Sequence, residues 1–302
     1  MVKSPQCSNA IVNFSEPGPL MTKILFSLPV HEMPAIVRDQ IANINYFCPG
    51  STIAIHISAG AAALQDEFRR ECDLPNVLIN PSSYETRWNA GLLHTHVSNY
   101  LYALERGADF DRVVLISSNE LLVKPGLSEY VSRYAMGSHV QIYDLAADWG
   151  GFRTDVASDM SVRNFVASLG LTSYFAGQAE GQFYSNRIFA RIARLFVENF
   201  PMAPCGFNSE EVIPPTVAAS LSMAGVNYAH PITFCDYCTA IKITPELIDQ
   251  IRSGNGAVYA QRVPRSMRSP HIGVSTFDGI FSVKRVPREE CELRQYIRGL
   301  MT

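Results

Sequence analysis

The chain has 302 residues, 47% of them hydrophobic and 18% charged, which suffices to bury one large core or two unequal ones and excludes a disordered tail protein. Its formal net charge of −3 provides no dense basic face for a duplex nucleic acid, so no nucleic-acid partner is expected. No run approaches the roughly 18 to 20 uninterrupted apolar residues that span a bilayer, and the first twenty residues, with Glu16 and scattered Pro and Gly, do not read as a signal peptide.

After an expected flexible arm over residues 1–20, KILFSLPVHEM sets an apolar run before a Pro and a His, and MPAIVRDQIANINYF repeats apolar residues at helical spacing. This reads as strand, loop and helix. STIAIHISAG reads as a second buried strand, AALQDEFRREC as a polar helix and NVLIN as a short apolar strand, before a loop that ends near Arg87 and Trp88. LLHTHVSNYLYALERG has the period of a helix ending at Gly107, and DRVVLISS is a nearly continuous apolar strand of the kind that suits a parallel sheet covered on both faces. The second half is less regular: a helical GLSEYVSRYA, a strand-like HVQIYDL, a helix NRIFARIARLFVENF capped by Asn186, a Pro-flanked helix EEVIPPTVAASLSMAG, and a basic tail FSVKRVPREECELRQYIRGL.

The alternation predicts an α/β fold with a Rossmann-like, mostly parallel central sheet and helices on both faces. Ligands of open α/β sheets bind beyond the carboxyl ends of the strands, so Pro29 to Glu32, Ser58 to Gly60 and Ser117 to Glu120 are expected to meet in a nucleotide cleft. No linker rich in Ser, Gly or Pro divides the chain, which predicts one composite domain.

The order of the blocks resembles the core-2/I-branching N-acetylglucosaminyltransferases and the related xylosyltransferases, distantly but along most of the chain. ILFSLPVHEMPAIVRDQI is similar to that family's opening strand with its His and helix. TRWNAGLLHTHVSNYLYALERG is similar to its WGG-S-V-A helix start, and VVLISSNELLVKPG to its LSGQDFPL strand end. AEGQFYSNRIFARIARLF resembles the GSQWFVLSR block, and GFNSEEVIPPTVAAS the SPDEHFFPT block.

The resemblance implies an A-type glycosyltransferase fold, with a nucleotide-binding half over 21–125 and an acceptor-binding, catalytic half over 126–302. It implies inverting transfer of a sugar, N-acetylglucosamine or xylose, from a nucleoside diphosphate donor, with uridine the family's base, to a hydroxyl of a glycan or glycoside. Asn208, Ser209, Glu210 and Glu211 align with Ser-Pro-Asp-Glu, which places the family's catalytic glutamate on Glu211. An inverting displacement needs such a carboxylate to remove the acceptor's proton. Glu210 is the second candidate base and sits on the acceptor side, and an acid in a first helical turn is also what helix electrostatics favours without catalysis.

Many transferases of this fold neutralise the leaving diphosphate with a divalent ion on an Asp-X-Asp motif, where this chain has Ser117, Ser118, Asn119 and Glu120. One carboxylate is a poor hard-cation site, whereas Lys284, Arg285, Arg288, Arg294 and Arg298 supply fixed positive charge. The resembled family is metal-independent, so no metal or cofactor is expected. Matching its tail makes Lys284 or Arg285, then Arg298, the diphosphate contacts. A metal-dependent transferase using Glu120 and a non-catalytic sugar- or nucleotide-binding module are the rival readings.

Val30 and His31 past the first strand, Ser58 past the second, and Arg87, Trp88 and Asn89 at a helix start are the remaining donor candidates. Where the family carries Asp after the second strand this chain has Ser58, Ala59 and Gly60, a departure that leaves the base open. On the acceptor side the Gly-Ser-Gln-Trp block falls on Glu180, Gly181, Gln182 and Phe183, and Trp149 before two glycines offers a flat face to a pyranose.

The seven cysteines, Cys7, Cys48, Cys72, Cys205, Cys235, Cys238 and Cys291, are scattered as expected of reduced thiols, which places the chain in the cytoplasm or at the cytosolic face of a membrane. Cys235 and Cys238 have metal-ligand spacing without a second pair, and the next histidine, His271, is distant. His94 and His96 are two apart on a predicted helix, which argues against joint ligation and reads as surface or satisfied polar residues. No nucleophile elbow, phosphate-binding GxxxxGK[ST] loop or GxGxxG follows a strand, which weakens hydrolase, kinase and dehydrogenase readings.

Overall fold

Alternate residues of the first strand go to different cores, which is the physical signature of a sheet covered on both faces. The computed structural model describes residues 22–31, 33–87, 91–138, 156–235, 242–254 and 277–302, and the backbone alone of 141–144. In β1 (Ile24–Val30), residues Ile24, Phe26, Leu28 and Val30 face a core shared with Val37, Ile41 and Ile44 of α1 (Pro34–Phe47). Leu25 faces the opposite core, with Val97 and Tyr100 of α3 (Leu93–Glu105). The same division holds in β2 (Thr52–Ile57), where Ile53, Ile55 and Ile57 oppose Ala54. In β4 (Arg112–Leu115), Val114 opposes Val113 and Leu115.

Between these lie α2 (Gln65–Cys72), preceded by a 3₁₀ turn, and β3 (Val77–Asn80). After β4 come β5 (Glu120–Leu122), α4 (Leu127–Ser132), β6 (Met136–Gly137), β7 (Gln141–Asp144), α5 (Met160–Ser168), β8 (Ser173–Ala176) and β9 (Phe183–Ser185). The chain continues through α6 (Asn186–Asn199), α7 (Ser209–Met223), β10 (Tyr228–Ala229), β11 (Thr233–Phe234), α8 (Pro245–Ser253), β12 (Ser282–Lys284) and α9 (Glu292–Gly299).

Among the described residues the central sheet has seven strands in the order β10-β6-β9-β4-β1-β2-β3, with β9 antiparallel to both neighbours and every other pairing parallel. The predicted α/β class with a mostly parallel sheet is thus the observed one. A small sheet, β11-β12-β5, grows from the turn after β4 and carries the C-terminal segment over the carboxyl edge of the central sheet. Its third core joins Leu121, Phe234, Val283 and Ile297 of α9.

The cap of α6 differs from expectation. Ser185 is the N-cap and its hydroxyl accepts from the Ile188 N–H, while Asn186 is the first helical residue. The Asn186 side chain instead accepts from the Tyr100 hydroxyl (2.7 Å) and donates to the Phe110 carbonyl (3.3 Å), tying α6 to α3. The expected N-terminal arm, together with Glu32, Trp88, Asn89, Trp149, Cys238 and His271, lies outside the described residues.

Candidate active site

The carboxyl ends of β1 and β4 open into a cavity of about 420 Å³, within the range of roughly 300 to 1,000 Å³ usual for small-ligand sites. Its lining brings together Val30, His31, Arg87, Ser117, Ser118, Asn119, Glu180, Glu210, Glu211, Lys284 and Arg285, all predicted from sequence. Arg288, Asn208, Thr86, Gly91 and His96 join them. Its acids come from α7 and the loop before β9, and its cations from the end of β12 and the segment that follows.

Glu211 lies in the first turn of α7 and is 6% exposed. The Asn208 amide donates to its Oε2 at 3.3 Å, which orients the carboxylate. Two prolines inside the helix, Pro214 and Pro215, explain how the site is joined to the loop opposite. Neither has an N–H to donate four residues back, so the Glu210 and Glu211 carbonyls are left without helical partners. The Gln182 side-chain amide donates to the Glu210 carbonyl (3.2 Å) and the Gly177 N–H to the Glu211 carbonyl (2.9 Å). Two missing helical bonds therefore become two bonds that fasten the 177–182 loop to both glutamates.

Glu210 serves a different purpose from its neighbour. Its Oε2 accepts from the Leu92 N–H at 2.5 Å, and the Ser209 hydroxyl accepts from the Leu93 N–H at 3.3 Å, so the start of α7 caps the start of α3. Burial pushes its carboxyl pKa up, against the opposing pull of these bonds. Gly91 makes the junction possible: its φ is +76°, and a Cβ there would lie 2.6 Å from the Phe207 carbonyl oxygen and 2.8 Å from the Ser209 nitrogen.

Beneath the cavity the α3 face of the sheet is polar, where sequence suggested only apolar runs. The Ser27 hydroxyl bonds His96 Nδ1 (2.9 Å) and accepts from Asn99 (3.1 Å). His96, expected on the surface or as a satisfied polar residue, is 5% exposed and forms part of the cavity floor. Burial lowers its pKa to about 3, and the neighbouring His94 and His56 act in the same direction, so the ring is neutral at working pH. His94 is fully buried and its Nε2 bonds the Glu85 carbonyl at 2.9 Å.

The C-terminal cations divide into two groups. Lys284 pairs with Glu180, and both side chains are mostly enclosed, at 18% and 11% exposure. Burial lowers the Lys284 pKa to about 8, opposed by Glu120 and assisted by Arg285 and Arg288. Arg285 has φ of +70° without being glycine; such a backbone costs about 1 to 3 kcal/mol and concentrates at functional sites. It is held there between β12 and the bond from the Val286 N–H to the Asn119 carbonyl (3.1 Å).

Other predicted contacts fall elsewhere. Arg298 turns away on α9, where it pairs with Asp39 of α1 (2.9 Å) and Glu290 (2.7 Å), and Arg294 pairs with the same Asp39. Gln182 is fully buried: it donates to the Gln178 and Glu210 carbonyls and accepts from the Tyr184 hydroxyl (2.6 Å), so it holds Glu210 rather than a ligand. Gly181, with φ of +73° and its Cα against the Thr233 backbone, shapes the loop. Ser58 is buried with its hydroxyl on Thr86 (2.6 Å), and it is Thr86 that reaches the cavity.

Glu120, the candidate metal ligand, points into the interior. Its carboxylate accepts from the Thr233 hydroxyl, the Ser282 hydroxyl (2.8 Å) and the Ser117 N–H (3.2 Å). It is fully buried, and burial raises its pKa. The residues after β4 therefore do not fit a divalent ion, since the single carboxylate of the run is enclosed by hydroxyls. Among the described residues no three His, Cys, Asp or Glu side chains converge as ligands, and no helix is long and apolar enough to cross a membrane.

No family model and no curated protein matches the chain. Solved structures to which it is similar at low identity include the following. A mannosyltransferase from Pyrobaculum calidifontis in complex with GDP-Man and Mn2+ is 13% identical with a TM-score of 0.40, over 70% of this chain and 55% of that one. A nucleoside-diphosphate-sugar pyrophosphorylase from Vibrio cholerae RC9 is 7% identical with a TM-score of 0.41, over 68% and 90%. A 4-diphosphocytidyl-2C-methyl-D-erythritol synthase is 13% identical with a TM-score of 0.35, over 77% and 98%. The chain spans little more than half the length of the mannosyltransferase.

Proposed function

We propose that this chain is an inverting glycosyltransferase that moves a sugar from a nucleoside diphosphate to an acceptor hydroxyl, using fixed cations in place of a metal ion. The observation that carries this reading is that one cavity at the strand ends is lined by Glu211 together with Lys284, Arg285 and Arg288. Glu211 takes the acceptor's proton as its oxygen attacks the sugar's anomeric carbon. The bond from that carbon to the diphosphate breaks on the opposite face, and its electron pair passes to the phosphate oxygen. The three cations stabilise the charge that develops there, without reorganisation at the moment of reaction.

Val30, His31, Thr86 and Arg87 lie around the strand ends where a nucleoside would sit, and uridine is the base in the family that the sequence resembles. N-acetylglucosamine or xylose is the sugar that resemblance favours, with a glycan or glycoside as acceptor. The enclosed carboxylate of Glu120 supports a donor site built on Lys and Arg, and speaks against the reading that uses Glu120 as a ligand.

Calorimetric titration with uridine, guanosine, cytidine and thymidine diphosphates, each in excess chelator, tests the proposal. One nucleotide is expected to bind with micromolar affinity. Silence with all four would overturn the metal-free donor site. Binding is also expected to weaken as pH rises above about 8, because Lys284 loses its proton there, and to be constant below that pH as far as Lys284 is concerned. Lys284→Arg, whose guanidinium stays charged, is expected to remove that alkaline loss. A wild-type affinity unchanged up to about pH 10 would exclude Lys284 from the diphosphate site, since its ammonium would by then be lost.

A further inference from the structure

Lys284 and Glu180 already neutralise each other inside the cavity, so a ligand that claims one of them must release the other. Glu180 is on a loop fixed by the bond from the Gly181 N–H to the Leu115 carbonyl (2.8 Å) and by the Gln178 amide on the Glu180 carbonyl (2.8 Å). The same loop packs so closely that a Cβ on Gly181 would lie 2.5 Å from the Thr233 nitrogen. Lys284 ends β12 on a flexible four-carbon stem. Both backbones are thus held, in the loop and in a strand, and the exchange is one of side chains, of which the lysine has the longer reach.

Resting on the transferase reading, we propose that the donor's diphosphate takes Lys284 from Glu180, and that the exchange sets the order of binding, donor before acceptor. A diphosphate carries more charge than a carboxylate and adds Arg285 and Arg288 as partners, so it competes well for the ammonium group. Once Lys284 has turned, Glu180 remains in the cavity that Glu210 and Glu211 also line, on the loop bonded to their carbonyls. A carboxylate is an acceptor for sugar hydroxyls, so the acceptor's subsite gains a binding group only after the donor is in place. Glu180 is thus a placeholder for phosphate in the empty cavity and an acceptor contact in the filled one.

A double-mutant cycle on nucleoside diphosphate affinity at about pH 7 reads this coupling directly. Glu180→Gln, which keeps the shape and removes the competing charge, is expected to tighten binding about tenfold. In a Lys284→Met background the same substitution is expected to change affinity less than about twofold, because no ion pair remains to be broken. An equal gain in both backgrounds would show mere charge repulsion and overturn the exchange, as would an affinity unchanged or weakened by Glu180→Gln alone. Should the Gln variant not fold, Glu180→Asp draws the carboxylate back by one methylene and is expected to show a smaller gain with the same dependence on Lys284. If neither wild type nor Glu180→Gln binds any of the four diphosphates, the transferase reading itself fails.

Discussion

Replacing Glu211 with Gln is expected to lower sugar transfer by about a hundredfold to ten-thousandfold, the usual contribution of a positioned general base, while leaving nucleoside diphosphate affinity within about twofold. The substitution keeps the side chain's volume and its bond from Asn208 (3.3 Å), and it leaves untouched the backbone carbonyl that the Gly177 N–H binds at 2.9 Å. Only the basic oxygen is lost. Glu210→Gln is the informative comparison, because its carboxylate is committed to the Leu92 N–H at the start of α3. That variant is expected to lose stability more than chemistry. Single-turnover transfer and a thermal melt on both variants separate the two roles. Full transfer by Glu211→Gln, or a larger loss of transfer from Glu210→Gln, would move the base to Glu210.

Which of these roles could be read from sequence follows the range of the interactions involved. The strands β1, β2 and β4 were legible because alternation and near-continuous apolar runs are local signals. The rule that ligands gather at carboxyl strand ends then located the loops around Val30, Ser117 and Asn119. The side-chain direction of Glu120 was not legible. It depends on the turn at Ser117 to Asn119 and on the register that sets Lys284 opposite Glu120 in the antiparallel pair of β12 and β5, two segments far apart in sequence. Arg298 failed for the same reason, since its partner Asp39 lies on α1 at the other end of the chain.

The strands of the small sheet are two or three residues long, too short for a period to show. Pro214-Pro215 inside α7 is a local signal of another kind. Two prolines within a helix announce two carbonyls in need of donors, and the donors belong to the loop that carries Glu180. His96 carries no comparable signal, because its burial follows from a polar patch assembled by Ser27 and Asn99 across the sheet face.

A damaging single-methyl change is expected at Gly91, where the starts of α3 and α7 meet. Two costs add in Gly91→Ala. A non-glycine residue held in the left-handed region costs about 1 to 3 kcal/mol, and overpacking a rigid contact costs about 1 to 3 kcal/mol more. Besides the Ser209 hydroxyl, the atoms in the way are backbone, the Phe207 oxygen at 2.6 Å and the Ser209 nitrogen at 2.8 Å, so side-chain rotation alone does not make room. Relief requires α7 to separate from α3, and that displaces Glu210 from the Leu92 N–H and carries Glu211 with it.

The expected result is a loss of about 2 to 6 kcal/mol in stability with a fall in Tm of about 3 to 10 °C, and a fall in transfer at temperatures where the protein is still folded. Gly107→Ala isolates the first cost, because Gly107 has φ of +69° and a methyl added there would meet nothing within 4 Å; it is expected to lose about 1 kcal/mol and no activity. Ser209→Ala combined with Gly91→Ala removes the nearest obstacle, the Ser209 hydroxyl, but neither backbone contact, and is expected to restore little. Equal melting temperatures for Gly91→Ala and Gly107→Ala would mean that the helix starts are not in contact as described, and that Glu211 is placed by something other than this junction.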